Sequence, residues 1–161
     1  MDHRTFSTLM LIYFAAPLFS VAEKRFNLAL TERLEAAGFE VFLPQRDGAE
    51  SHKPPYDTMN KDERRKALFE LDKSKVFACN IFLFVLDGRI PDEGACVELG
   101  LAHAQRELQQ PQKYLLGLQT DVRAAFLGSK LNPMLRVALD KIVATEDEVL
   151  ELLTNYKAGV A

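Results

Sequence analysis

Hydrophobic and polar positions along this chain switch repeatedly between the two periods of secondary structure. Thr8 to Phe14 is a near-continuous apolar run, the mark of a strand covered on both faces. From Val21 to Ala37 the pattern turns helical, with Val21, Phe26, Ala29, Leu30 and Leu34 on one stripe and Gly38 as terminator. Phe39 to Leu43 predicts a second strand, stopped by Pro44. Gln45 to Asn60 is polar, carries Gly48, Pro54 and Pro55, and is long for a connection in a compact domain. Lys61 to Val76 predicts an amphipathic helix with Ala67, Leu68, Leu71 and Val76 inward. Ile81 to Leu86 is the strongest strand, and Asp87 to Glu93 a turn. Gly94 to Leu108 predicts a helix whose apolar face is Val97, Leu101, Ala104 and Leu108. Lys113 to Gln119 is a fourth strand and Thr120 to Leu131 a second long loop. Asn132 to Leu139 is a short helix, Ile142 to Ala144 a brief fifth strand, and Glu146 to Tyr156 the last helix.

Strands alternating with helices at this spacing imply an α/β fold in a single domain over residues 1–161. The expected architecture is a doubly wound, five-stranded parallel sheet with helices on both faces, because crossovers are right-handed. Ligands in such folds bind outside the carboxyl ends of the strands. Those ends are Tyr13 to Ser20, Pro44 to Asp47, Asp87 to Gly94, and Gln119 to Asp121.

The opening segment also allows a different reading. Leu9 to Phe19 is mostly apolar, and Ser20-Val21-Ala22 looks like a small-residue cleavage site. Against a secretory signal stand Asp2, which offsets Arg4, and Pro17, which interrupts the run. The segments that follow also need a first strand to pack against. The run is too short to span a bilayer.

Composition narrows the function. With 161 residues, 48% of them hydrophobic, the chain is an ordinary globular domain. Its net charge is −3 and its longest basic run is Arg64-Arg65-Lys66, so a nucleic-acid partner is not expected. Cys79 and Cys96 form no metal or redox motif, and the three histidines give no ligand pair at helical spacing. No metal or cofactor is expected. The cysteine usage suits a reducing compartment and predicts a cytoplasmic protein.

The most informative segment runs from Asp87 to Ala102. Asp92 is positioned to cap the helix that starts near Gly94. Glu98 lies one turn in, beside the apolar stripe, where a desolvated carboxylate is a candidate nucleophile or base. Gly94 and Gly100 each cost about 1 kcal/mol against alanine inside a helix, which suggests that something approaches them closely.

Tyr13-Phe14 after a strand, Asp72, the Asp92-x-Gly-x-x-x-Glu98-Leu-Gly helix start, and Leu131-Asn132 together resemble the nucleoside 2-deoxyribosyltransferases. Leu43-Pro-Gln-Arg-Asp47 and Gly117-Leu-Gln-Thr-Asp-Val-Arg123 resemble the parasite-type members. The resemblance implies a flavodoxin-like fold and a transfer of 2-deoxyribose between purine or pyrimidine bases, as in nucleoside salvage. Glu98 would be the nucleophile and Tyr13 the residue that orients it. Asp72 would assist protonation of the leaving base, and Asp92 would hold the sugar hydroxyls. Asn132 would reach a neighbouring subunit's site, which implies a homo-oligomer of at least two chains. Phe19 is a candidate to stack on the base, with an ordinary core role as its alternative. Gln45 and Asp47 are candidates to read base edges, or to cap the loop. Two departures concern the pocket: Ala15-Ala16-Pro17 replaces a loop where relatives often carry glycine, and Asn80 stands where an aspartate is common.

Other activities compete. A relative that hydrolyses deoxynucleoside 5′-monophosphates needs a phosphate cradle near the first loop, where this chain has Ala15-Ala16-Pro17-Leu18. A non-catalytic nucleotide-binding module does not need Tyr13, Asp72, Asp92 and Glu98 together. A flavin binder needs a serine- or glycine-rich loop after the first strand.

Overall fold

The computed structural model describes residues 9–123 and 131–159. Its centre is a five-stranded sheet with spatial order β2-β1-β3-β4-β5. The strands are β1 (Leu11–Ala15), β2 (Glu40–Phe42), β3 (Ile81–Val85), β4 (Tyr114–Leu118) and β5 (Lys141–Val143). All adjacent pairs run parallel, with Tyr13 opposite Phe42 on one side and Phe82 on the other. The expected class and topology are therefore observed. The segment that allowed a signal-peptide reading is an interior strand, and Ser20-Val21-Ala22 starts the next helix.

Helices cover both faces. They are α1 (Val21–Ala36), the short α2 (Pro44–Asp47), α3 (Lys61–Ala78), α4 (Glu93–Leu108), α5 (Pro133–Ala138) and α6 (Glu146–Lys157). The second strand connection, expected as loop, contains α2 and a 3₁₀ turn at Tyr56–Thr58. Pro44 at the first helical position and Gly48 just after the last explain α2. Of the second long loop, residues 124–130 lie outside the described residues.

Strand alternation divides the core in two. Ile12, Phe14, Ile81, Leu83 and Val85 face Leu30 and Leu34 of α1 and Val149 and Leu153 of α6. Tyr13, Ala15, Phe82 and Phe84 face the other way, against Val76 of α3 and Ala95, Leu99 and Ala102 of α4. That parity puts the Tyr13 side chain in the same layer as α3 and α4.

Three helix faces differ from the expectation. In α4 the inward residues are Ala95, Leu99 and Ala102, whereas Val97 and Leu108 are 58% and 81% exposed. The helix lies close to the sheet, so its buried face is small rather than large. In α1 the buried set is Asn27, Leu30, Thr31 and Leu34, with Val21 exposed. In α3 only Val76 is buried, and Leu68 is 46% exposed.

Caps fix where the helices start. Ser20 and Glu23 form a reciprocal capping box on α1, as do Asn60 and Glu63 on α3. The buried Lys113 Nζ donates to the Val76 carbonyl at 2.5 Å and the Phe77 carbonyl at 3.3 Å, closing the C-terminal end of α3. Asn80 Oδ1 accepts from the Leu11 amide at 2.9 Å, so the side-chain amide supplies an acceptor that ties the start of β1 to the residue before β3. Gly117 leaves room for the Leu139 and Leu86 methyls, which a Cβ there would meet at 3.0 Å.

Candidate active site

The strand order reverses between β1 and β3, and the cavity opens at the carboxyl ends beside that point, as the topology requires. It holds about 510 Å³. Its walls come from four places: the β1–α1 loop, the α2 turn and the loop after it, one face of α3, and the first turns of α4.

At the inner wall the Tyr13 hydroxyl donates to Glu98 Oε1 at 2.8 Å. Tyr13 has no exposed surface and its ring is held between Phe42 and Phe82, each with centroids 5.6 Å away. A side chain packed this way has one orientation available. Glu98 is thus pinned through one oxygen, and it lines the cavity. Burial pushes its carboxyl up to about 7; the Tyr13 hydrogen bond opposes that, and the nearby charges of Asp72 and Asp92 add to it. Burial and the adjacent carboxylates push the Tyr13 phenol far upward, so it stays protonated and remains a donor.

Asp72 faces the same cavity from α3, and burial pushes its carboxyl up to about 6. Its Oδ1 is buried with no hydrogen-bond partner among the described residues. A carboxyl raised by burial toward neutral pH at a cavity wall is a candidate to exchange a proton with a ligand.

Asp92 caps α4 as expected, with Oδ1 accepting from the Ala95 amide at 2.9 Å, and it also lines the cavity. Gly94 lines the cavity beside it, where a Cβ would lie 3.2 Å from Asp92 Oδ1. Gly100 differs: a Cβ there meets nothing within 4 Å, so no close approach explains it.

Phe19 stands at the rim with 78% of its surface exposed, which excludes the core role. Gln45 also lines the cavity, and its amide is fixed. Nε2 donates to the Lys24 carbonyl at 2.8 Å, and Oε1 accepts from Asn27 at 3.0 Å. Asn27 in turn donates to the Pro17 carbonyl at 2.9 Å. Carbonyls at both ends accept only, so the chain of amides has a single hydrogen-bond sense. Asn27, 2% exposed, ties the loop carrying Phe19 to Gln45.

Two of the sequence candidates lie elsewhere. Asp47 does not line the cavity: its carboxylate accepts from the Leu43 amide at 2.9 Å and from Arg46. It closes the α2 turn, the capping alternative. Asn132 caps α5, accepting from the Met134 amide at 2.9 Å, and is outside the cavity of its own chain. Asp87 is likewise not a ligand-facing group; it accepts from the Thr120 and Asp121 amides at 2.7 and 2.9 Å and ties the ends of β3 and β4 together.

Sequence reasoning did not assign Arg64, Leu68, Ala49, Glu50 or Ser51 to the cavity wall, nor Asn27 to the support behind it. The signal for the first two was present: Arg64, Leu68 and Asp72 are spaced i, i+4, i+8 and share one helix face.

A parallel sheet ordered 2-1-3-4-5 is the flavodoxin-like α/β arrangement, and here a tyrosine-held glutamate and a second carboxyl share a cavity at its switch point. The sequence profile described as Nucleoside 2-deoxyribosyltransferase matches residues 12–152, and the chain belongs to that family. It is accordingly a pentosyltransferase, of a family acting on nucleosides and nucleobases. Among solved structures, a conserved protein from Enterococcus faecalis V583 is similar, with TM-score 0.68 and 25% identity over 89% of this chain and 96% of that one. The 2-deoxyribosyltransferase of Bacillus psychrosaccharolyticus has the same fold, with TM-score 0.68 and 20% identity over 87% of this chain and 90% of that one. No curated protein matches the sequence significantly. Among the described residues no helix is long and apolar enough to cross a membrane.

Proposed function

We propose that the protein exchanges the base of 2′-deoxynucleosides by double displacement on Glu98. The free Glu98 oxygen attacks C1′ as the N-glycosidic bond breaks, and the bonding pair leaves with the base nitrogen. Asp72 gives that nitrogen its proton. An incoming base then attacks C1′ from the vacated side, the C1′–Oε bond breaks, and the new base returns a proton to Asp72. Two inversions give net retention. The observation that carries this reading is the 2.8 Å bond from Tyr13 to Glu98 Oε1, which holds one oxygen and leaves the other to react.

The remaining roles follow from position. Asp92 accepts from the sugar hydroxyls while capping α4, Phe19 stacks on the base at the rim, and Gln45 offers a base edge the second N–H and the second lone pair of its fixed amide. The direct test is incubation with 2′-deoxyinosine and adenine. Deoxyadenosine should form; accumulation of free hypoxanthine alone would mean a hydrolase, and no reaction a binding module.

The same reading takes the active unit to be an oligomer in which Asn132 grips the sugar in a neighbouring site. In support, Met134 and Val137 on the same short helix are 80% and 79% exposed, a poor arrangement for two apolar side chains in a lone subunit. Val137→Asp should therefore shift the protein to monomers in sedimentation velocity and lower exchange in step. A variant that stays oligomeric, or exchanges bases as a monomer, would rule the shared site out.

A further inference from the structure

The cavity lining includes residues to which the base-exchange reading gives no role. On the base-exchange reading, Glu98, Asp92 and Gly94, all on the cavity wall, take the sugar, and Phe19, Gln45 and Asp72 flank the base. Beyond them the wall continues along Ala49, Glu50 and Ser51 on one side and Leu68 and Arg64 of α3 on the other. Asp72 and Arg64 are eight residues apart on one helix, hence about 12 Å along its axis. Helical side chains lean toward the N-terminus, which carries Arg64 farther still. Its Nε and Nη2 donate to the Tyr56 and Met59 carbonyls at 3.3 and 3.0 Å, before the first turn of α3. A purine held beside Asp72 ends well short of that guanidinium.

The uncovered stretch has a defined character. Leu68, 46% exposed, and the buried Ala49 both line the cavity and give it apolar surface. The lining also carries a cation, Arg64, and a carboxylate, Glu50, whose Oε2 lies 3.6 Å from His52 Nδ1. A substituent ending in an anion meets Glu50, and one ending in a cation meets Arg64. A neutral group that both accepts and donates satisfies the two together.

We propose that this outer end is a subsite for an exocyclic substituent on the transferred base: an alkyl stem over Leu68 and Ala49, ended by a hydroxyl or primary amide between Arg64 and Glu50. The proposal rests on the base-exchange reading and names the class of base that the site favours.

The test uses 2′-deoxyinosine as donor and three acceptors: adenine, N6-propyladenine and N6-(3-hydroxypropyl)adenine. Wild-type kcat/KM should be roughly tenfold higher for the hydroxypropyl than for the propyl acceptor, the scale of one hydrogen bond to a charged group. Arg64→Ala should bring that ratio close to one. Leu68→Trp, at a partly exposed position where folding is not at stake, should penalise both substituted acceptors relative to adenine. Equal use of the two substituted acceptors by the wild type, or a ratio that survives Arg64→Ala, overturns the proposal. Calorimetric binding of the three free bases separates the two readings. If the hydroxypropyl base binds most tightly but no deoxynucleoside forms, transfer fails and the subsite stands; if adenine is exchanged and the substituted bases neither bind nor react, the subsite alone fails.

Discussion

Glu98→Ala is expected to lower base exchange by about four orders of magnitude or more, the scale seen when a covalent nucleophile is removed. The fold should survive. Glu98 contributes no packing that the cavity requires, and its carboxyl is held above its ordinary range by burial, so its removal relieves a desolvated charge. The opposing effect is the Tyr13 hydroxyl, which loses its acceptor at a cost of about 1–3 kcal/mol. Glu98→Gln retains an acceptor for that hydroxyl and should be as inactive while melting closer to the wild type. Deoxyadenosine formation by chromatography measures the first effect, and thermal unfolding the second. Reaction with a 2-deoxy-2-fluoro nucleoside should also leave a sugar adduct on the peptide containing Glu98. Exchange at the wild-type rate in Glu98→Ala, or an adduct on another residue, would remove Glu98 as nucleophile.

The second large effect is expected at Asp72. A positioned acid contributes typically 10²–10⁴-fold, so Asp72→Asn should lose about that much with natural bases and less with bases that leave without a proton. The pH profile distinguishes this role from a structural one. Reaction needs Glu98 ionised and Asp72 protonated. With Glu98 pushed up to about 7 and Asp72 to about 6, kcat/KM should rise and then fall across the span from about pH 6 to 7. The two apparent values belong to the pair, because each carboxylate feels the other. Asp72→Asn should abolish the alkaline limb. The acid limb should remain, since it reports Glu98 ionising beside an uncharged residue 72 in both proteins. An alkaline limb that persists in Asp72→Asn would take the proton donor away from this residue.

The site's chemistry was partly legible in one dimension. The pattern from Asp92 to Gly100 put a cap, a small residue and a carboxylate at one strand end, and the structure keeps all three there. The capping signal Ser20-x-x-Glu23 was also readable, and it explains the segment that resembled a cleavage site. Base-proximal detail was less accessible. Asp47 looked like a base reader because it ends a strand, but its carboxylate lies within reach of the Leu43 amide and Arg46, and local hydrogen bonds claim it. The apolar stripe of α1 leaves Asn27 out, although the folded chain buries it to 2% exposure. Only the approach of the α2 turn reveals it as the amide that fixes Gln45.

What the sequence by itself determined is the order of elements and the class of fold. Continuous apolar runs separated by helical periods dictate buried parallel strands, and right-handed crossovers leave little freedom in joining them. It determined the side of the sheet too, since alternation along β1 commits Tyr13 opposite to Ile12 and Phe14. Tertiary structure decided the rest. A hydrophobicity stripe favours large residues, but close packing on a sheet favours small ones, so α4 turns Ala95, Leu99 and Ala102 inward and brings Glu98 to the cavity. Tyr13 and Glu98 are 85 positions apart, and no local rule joins them. The raised carboxyls of Glu98 and Asp72 are consequences of desolvation, a property of the folded surroundings that no residue carries alone.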